Sequence, residues 1–241
     1  MAHAAWKWMV VVAGVGAGVL ACSENGGGGG LITFDAGVNK ERPGFGEDPG
    51  APVGNPFNFP PGIELAGDPY GASDADGDCG NGVAPQGTGQ GVLVCVPLRN
   101  LSGAPVTMTF EPALVMLSAS ASRYQNGMLM DRIRITIPPT GIGPGGIDAG
   151  PDAGSEEKPF LVPLHMYCIN EKRAPSEEGV PYRLGPVSTD PDILTLLRLL
   201  QNKAIKSQDD ITIVQDALYN ITEYNGLTSE DERRIASLPK G

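Results

Sequence analysis

The four cysteines carry most of the chemistry that this sequence offers. Cys22 follows a short apolar leader, whereas Cys79, Cys95 and Cys168 lie in the body of the chain. The last three cannot all pair with one another, so at least one of them stays outside any disulfide among the three. Cys79 and Cys95 are sixteen residues apart, and a bridge between them would stabilise the fold by about 3 kcal/mol. Cys168 keeps its thiol on that pairing, and in the alternative it is bonded to Cys95.

The segment before Cys22 predicts a signal peptide over residues 1–21. Its first eight residues contain one positive charge, Lys7, and residues 9–20 are small and apolar. Such a run is too short to cross a hydrocarbon core of about 30 Å as a helix. Val19-Leu20-Ala21-Cys22 resembles the bacterial lipobox, in which the cysteine is acylated and becomes the mature N-terminus. The resemblance implies a bacterial lipoprotein, since each buried acyl CH₂ contributes about 0.8 kcal/mol to membrane attachment.

The residue after Cys22 indicates which bacterial membrane the lipidated protein is sorted to. In Gram-negative bacteria an aspartate there favours the inner membrane, and this chain has Ser23. The resemblance therefore implies a lipid anchor on the outer membrane, on its periplasmic or its outer face. No later apolar stretch approaches 18 residues, so the remainder is expected to be a water-exposed passenger.

Three alternate aspartates, Asp74, Asp76 and Asp78, form a candidate cation site. Carboxylates spaced in this way converge on Ca²⁺ in calcium-binding loops. Cys79 stands where such a loop expects glycine, and Pro85 stands where it expects the bidentate glutamate. The pattern leaves two interpretations open, a bound Ca²⁺ or a solvated acidic turn, and no other cofactor is indicated.

Two short segments resemble signatures of the thioester domains of bacterial surface adhesins. Tyr167-Cys168-Ile169 matches aromatic-Cys-aliphatic, and residues 214–219 match an aliphatic residue, a glutamine, two further residues and then an apolar pair. In that family the cysteine sulfur and the glutamine carbonyl join with loss of ammonia, and the thioester captures amines on another surface. The resemblance implies Cys168 as sulfur donor and Gln215 as acyl donor. In the alternative, Cys168 is only structural and Gln215 is an ordinary helix residue.

Other functions lack the residues that they need. The net charge of −11 without a Lys/Arg cluster argues against nucleic acid as a partner. His165 is the only histidine outside the leader and lies between Leu164 and Met166, so the sequence offers it no partner for a metal site or a catalytic triad. Without an acid/base or nucleophile constellation, the sequence does not predict an enzyme.

The elements that must position these residues change in character along the chain. The 34 glycines and 22 prolines are unevenly placed and predict a flexible, irregular arm over residues 22–91. A β-sandwich-like antiparallel domain is expected over 92–187, interrupted by a low-complexity loop over 140–157. A C-terminal helical subdomain is expected over 188–241, which makes the fold class α+β.

Local patterns specify several of these elements. Apolar residues alternate in residues 106–110 and 132–137, as in half-buried strands, and further strands are expected over 92–98, 114–117 and 160–169. Asp190-Pro191-Asp192 predicts a helix start. A second helix is expected from about Asp210, and Ser229 with Glu232 matches a capping box for a third.

These features together predict a membrane-anchored surface binding or adhesion module that reaches an unknown protein or surface ligand, with a Cys-Gln thioester as its covalent grip. The alternative is a structural component of the cell envelope that docks a protein partner.

Overall fold

The computed structural model describes residues 42–72, 79–80, 82–120, 123–140 and 158–241. The strands in these ranges are β1 Gly54–Pro56, β2 Ile63–Leu65, β3 Tyr70–Gly71, β4 Val92–Asn100, β5 Val106–Phe110, β6 Leu114–Ser118, β7 Gly127–Met128, β8 Ile133–Ile137, β9 Phe160–Cys168 and β10 Tyr182–Ser188. The helices are α1 Pro191–Leu200, α2 Gln208–Glu223 and α3 Ser229–Ser237. The fold is α+β, as predicted, with strands first and helices last.

The strands form one large sheet and one small one. The large sheet has the order β1-β10-β6-β7-β9-β4-β2, with β3 also paired to β4. The small sheet is the pair β5-β8. All of these strand pairings are antiparallel. The longest pairing joins β4 to β9, from Val92 opposite Met166 to Leu98 opposite Phe160.

The large sheet separates two hydrophobic clusters, and β9 contributes to both. Leu164, Met166 and Cys168 belong to the cluster that includes the buried side chains of β5 and β8. Tyr167 and Ile169 belong to the cluster packed against the three helices. This division follows from strand geometry, because successive side chains point to opposite faces of a sheet. Cys168 is therefore held on the side away from the helices.

The helices begin at side-chain caps. The carboxylate of Asp190 accepts hydrogen bonds from the backbone N–H groups of Asp192 and Ile193, so the predicted start of α1 is confirmed. The start of α2 lies slightly before the predicted residue, since Ser207 is its cap. The capping box predicted at Ser229 and Glu232 is wrong by one residue. Thr228 and Asp231 form it instead, because threonine and aspartate satisfy the same orphan donors one position earlier.

Within the irregular arm predicted over residues 22–91, the described residues from 42 onwards include three short strands that join the large sheet. There β1 pairs with β10, and β2 and β3 pair with β4. Phe45 is buried in the helix-side cluster. The strands have only two or three residues each, too few to show a period-2 pattern in the sequence. Pro56, in β1 at the sheet edge, fits the confinement of proline to edge strands.

The predicted strands over 92–98, 106–110, 114–117, 132–137 and 160–169 are confirmed within one or two residues at each end. The strand β10 was not predicted. Gly185 and Pro186 interrupt its apolar pattern, and the pairing with β6 shifts register between Leu184 and Val187. The low-complexity loop predicted over 140–157 lies, apart from Thr140, outside the described residues.

Candidate functional site

The sulfur of Cys168 lies at the end of β9 in a fully buried position. Cys79 and Cys95 form a disulfide with a Cα–Cα distance of 5.7 Å. This is the pairing favoured by the cysteine spacing, and the alternative bond between Cys95 and Cys168 is not formed. The disulfide leaves Cys168 as a thiol enclosed in the protein interior.

The group that meets this sulfur is the side-chain carboxamide of Gln125. Its Oε1 lies 2.6 Å from Cys168 Sγ. Gln125 is fully buried, and its Nε2 has no hydrogen-bond partner among the described residues. A buried polar atom without a partner is rare in folded proteins and calls for a physical explanation.

The main chain fixes the position of Gln125 on both sides. Its N–H donates to the carbonyl of Ala174 at 2.8 Å, and its carbonyl accepts from the Tyr182 hydroxyl at 3.2 Å. Burial is the main factor that raises the pKa of Tyr182, so this hydroxyl remains a protonated donor at neutral pH. The carboxamide is thus presented to the sulfur from a fixed backbone.

Gln215, the acyl donor implied by the sequence resemblance, also contacts Cys168, but at its backbone. Its Oε1 accepts from the Cys168 N–H at 3.0 Å, and its Nε2 donates to the Cys168 carbonyl at 2.9 Å. The two predicted residues are therefore brought together. The amide of Gln215 forms two hydrogen bonds to the last peptide units of β9, and it couples that strand end to α2.

Two buried asparagines, Asn126 and Asn170, hold the backbone around the site through hydrogen bonds. Asn126 N–H donates to Asn170 Oδ1 at 2.9 Å, and Asn170 Nδ2 donates to the carbonyl of Gly46 at 2.6 Å. Asn126 Oδ1 accepts from the backbone N–H of Ser118 at 2.9 Å. Both asparagines are buried. The hydrogen bond from Asn170 to Gly46 therefore ties the first described residues of the chain to the site.

Gly91 covers the sulfur from the other side. A Cβ placed on Gly91 would lie 1.9 Å from Cys168 Sγ, so any larger residue there would occupy the position of the sulfur. Gly91 N–H donates to the carbonyl of Met166 at 3.1 Å, which holds the segment against β9. The absence of a side chain at residue 91 is therefore what lets the sulfur face Gln125.

Sequence reasoning identified Cys168 and Gln215 but missed Gln125 and Gly91. Gln125 lies outside any apolar period, and no spacing relates it to Cys168. Its one local signal is a run of amide side chains, Gln125-Asn126, directly before the short strand β7.

Cys22 and the aspartates Asp74, Asp76 and Asp78 lie outside the described residues. Within the described ranges, no group of three or more His, Cys, Asp or Glu side chains is arranged to hold a metal ion. In the same part of the chain, no helix has the length and apolar character to cross a membrane.

No protein-family model matches the chain, and neither a curated protein nor a solved structure matches it.

Proposed function

We propose that this chain is a lipid-anchored binding module of the bacterial cell envelope that forms an internal thioester between Cys168 and a glutamine side chain. The thioester would acylate primary amines on a protein or surface ligand and so attach the module covalently. The module is a reagent used once and not an enzyme, because the acyl group is consumed in the attachment.

The observation that carries this proposal is a buried sulfur in contact with a buried carboxamide, Cys168 Sγ with Gln125 Oε1 at 2.6 Å. A thiol and a carboxamide held in this way have the groups needed for acyl transfer from nitrogen to sulfur. Enclosure also preserves the product, because a thioester shielded from water is hydrolysed slowly.

In this proposal the leader and Cys22 supply the lipid anchor, and Ser23 in place of aspartate supports a location on the outer membrane, at its periplasmic or its outer face. The finer architecture belongs to the same proposal. The pair β5-β8 shares a hydrophobic cluster with β4 and β9, which supports a β-sandwich, and the three consecutive helices support a C-terminal helical subdomain.

Mass spectrometry of the full chain isolated from membranes tests the proposal. Loss of ammonia makes the linked peptides about 17 Da lighter than their sum, and methylamine opens the link and releases a thiol at Cys168. A Cys168→Ala variant, with the disulfide intact, is the matched control. If wild-type Cys168 is recovered as a thiol before methylamine is added, the covalent function is refuted. The alternative, a structural envelope component that docks a protein partner, then stands.

A further inference from the structure

Two glutamines contact Cys168, and they use their side chains differently. We infer that Gln125 is the acyl donor and that Gln215 is a positioning residue that holds the backbone of Cys168, an inference that rests on the thioester proposed above. The bond would join Cys168 Sγ to Gln125 Cδ. This differs from the pair Cys168–Gln215 that the sequence resemblance implies.

The first argument is the distance between sulfur and oxygen. In a thioester, a C=O bond of about 1.23 Å and a C–S bond of about 1.8 Å meet at about 120°, which places sulfur and oxygen about 2.6 Å apart. Cys168 Sγ and Gln125 Oε1 are separated by 2.6 Å. Hydrogen bonds between oxygens have a typical length of about 2.7–2.8 Å, and those from the larger sulfur atom are longer. The contact therefore has the spacing of a bonded acyl group.

The second argument is the unpartnered nitrogen of Gln125. Its Nε2 is buried and has no hydrogen-bond partner among the described residues. An unpaired buried donor destabilises the folded state. Thioester formation releases this nitrogen as ammonia and so removes the unpaired group. Of the two glutamines at the site, Gln125 is the one whose nitrogen can leave without breaking a hydrogen bond.

The third argument is that both polar atoms of the Gln215 amide are already used. Its Oε1 and Nε2 pair with the Cys168 N–H and carbonyl at 3.0 and 2.9 Å. Acylation of the sulfur by Gln215 would break both bonds and leave the two backbone groups of Cys168 to find other partners. The paired amide instead fixes the end of β9, which sets the direction in which the sulfur points.

The reaction balances without another reactant. The sulfur attacks Gln125 Cδ, the C–N bond breaks, and ammonia leaves with the proton of the thiol. A primary amine later attacks the same carbon, the C–S bond breaks, and the amine proton passes to the sulfur. The products are a substituted amide on Gln125 and a thiol on Cys168. The substituted amide therefore remains on Gln125 after the reaction and identifies it as the acyl donor.

Enclosure of the site selects small amines. Cys168 and Gln125 are both fully buried, and Gly91 lies directly over the sulfur. An amine must reach the carbonyl carbon between these groups, so unbranched primary amines are the expected class, with methylamine as the smallest probe. A lysine side chain belongs to the same class because its amino group stands on an unbranched stem.

Methylamine labelling of the full-length wild-type chain distinguishes the two glutamines, because the label stays on the acyl donor. Trypsin places Gln125 in the peptide of residues 124–132 and Gln215 in the peptide of residues 207–233. Conversion of glutamine to its N-methyl amide adds about 14 Da, and fragmentation assigns the labelled residue. The expected result is label on Gln125 and loss of that label in Cys168→Ala.

The outcomes separate this inference from the proposed function. Label on Gln215 overturns the inference and leaves the thioester proposal in place. Absence of label on both glutamines, with Cys168 recovered as a thiol from untreated protein, overturns both.

Variants of Gln215 test its positioning role in the folded protein. Gln215→Glu keeps an oxygen for the Cys168 N–H and is expected to retain label on Gln125, whereas Gln215→Ala removes both contacts and is expected to slow labelling. The measurement is the labelling rate at temperatures where circular dichroism shows both variants folded, since a role limited to stability would leave that rate unchanged. Equal rates in the wild type and Gln215→Ala would contradict the positioning role.

Discussion

Gly91 provides a steric test of the geometry at the sulfur. A Cβ on this residue would lie 1.9 Å from Cys168 Sγ, but 3.2 and 3.3 Å from the backbone nitrogen and Cβ of Cys168. Ordinary non-bonded carbon contacts are about 3.5–4.0 Å. The clash is therefore almost entirely with the sulfur, and Gly91→Ala is expected to be harmful only while an atom occupies the Sγ position.

The cost of Gly91→Ala is best compared in two backgrounds that cannot form a thioester. In Cys168→Ser an oxygen remains at the clash position, so adding Gly91→Ala should destabilise the fold by about 1–3 kcal/mol, the usual cost of overpacking a core. In Cys168→Ala that atom is absent, and the same substitution should cost less than about 1 kcal/mol because only the two looser contacts remain. The difference between backgrounds is a coupling energy between residues 91 and 168.

Denaturant unfolding of the four variants measures the coupling, provided that the slope of the transition stays constant. For a domain of this size, each kcal/mol corresponds to about 2–4 °C in Tm, which gives an independent reading. Gly67→Ala is the matched control, since a Cβ there meets nothing within 4 Å, and it should change stability by less than about 0.5 kcal/mol. Equal costs of Gly91→Ala in both backgrounds would refute the placement of the sulfur beneath Gly91.

Three further predictions concern the groups around the site. Burial raises the pKa of Glu223, which accepts a hydrogen bond from the Glu171 N–H at 2.7 Å. The stability that Glu223 contributes is present below its unfolded pKa and is lost as pH rises through the folded pKa. Glu223→Gln should therefore be more stable than the wild type at pH 7 and equal to it below about pH 4, as measured by Tm against pH. Two backbone N–H groups lower the pKa of Asp48. The stability that Asp48 contributes is present above its unfolded pKa and is lost as pH falls through the folded pKa, so Asp48→Asn should lower Tm at pH 7 and have no effect near pH 2. A decrease in Tm that does not depend on pH would contradict this assignment. Buried Asp231 completes the capping box of α3 and accepts hydrogen bonds from Asn220 Nδ2 at 2.9–3.0 Å. Asp231→Ala should therefore lower the free energy of unfolding by about 2–3 kcal/mol in denaturant unfolding. A decrease below about 0.5 kcal/mol would show that solvent replaces both contacts.

The sequence predicted the elements whose pattern is local and repeated. The alternation of Val106, Met108 and Phe110 is a property of one strand, and Asp190-Pro191-Asp192 is a property of one helix start, so both were readable without tertiary information. The strands β1 to β3 are too short for a period to appear. Their existence depends on pairing with β4 and β10, which lie far along the chain, and no local pattern within β1 to β3 identifies these pairings.

The same difference between local and distant information explains the site. Cys168 stands out by residue type and by the count of cysteines, and Gln215 stands out because residues 214–219 resemble a short signature of thioester domains. Gln125 has neither signal. It is 43 residues from Cys168 in the chain, and it reaches the sulfur because β7 pairs with β9, with Gly127 opposite Cys168. Only the register of the sheet shows that the residue two positions before Gly127 lies beside the sulfur.

That register also couples the proposed chemistry to folding. The sulfur and the Gln125 carboxamide meet only when β7 and β9 are paired, and the Gln215 amide fixes the end of β9 only when α2 has docked. Before reaction, the Gln125 amide nitrogen is buried without a hydrogen-bond partner among the described residues, at a cost of about 1–3 kcal/mol. Release of ammonia removes this cost. Folding thus brings the reactants together and favours their reaction, whereas in the unfolded chain the thiol and the amide are separately solvated and have no reason to combine.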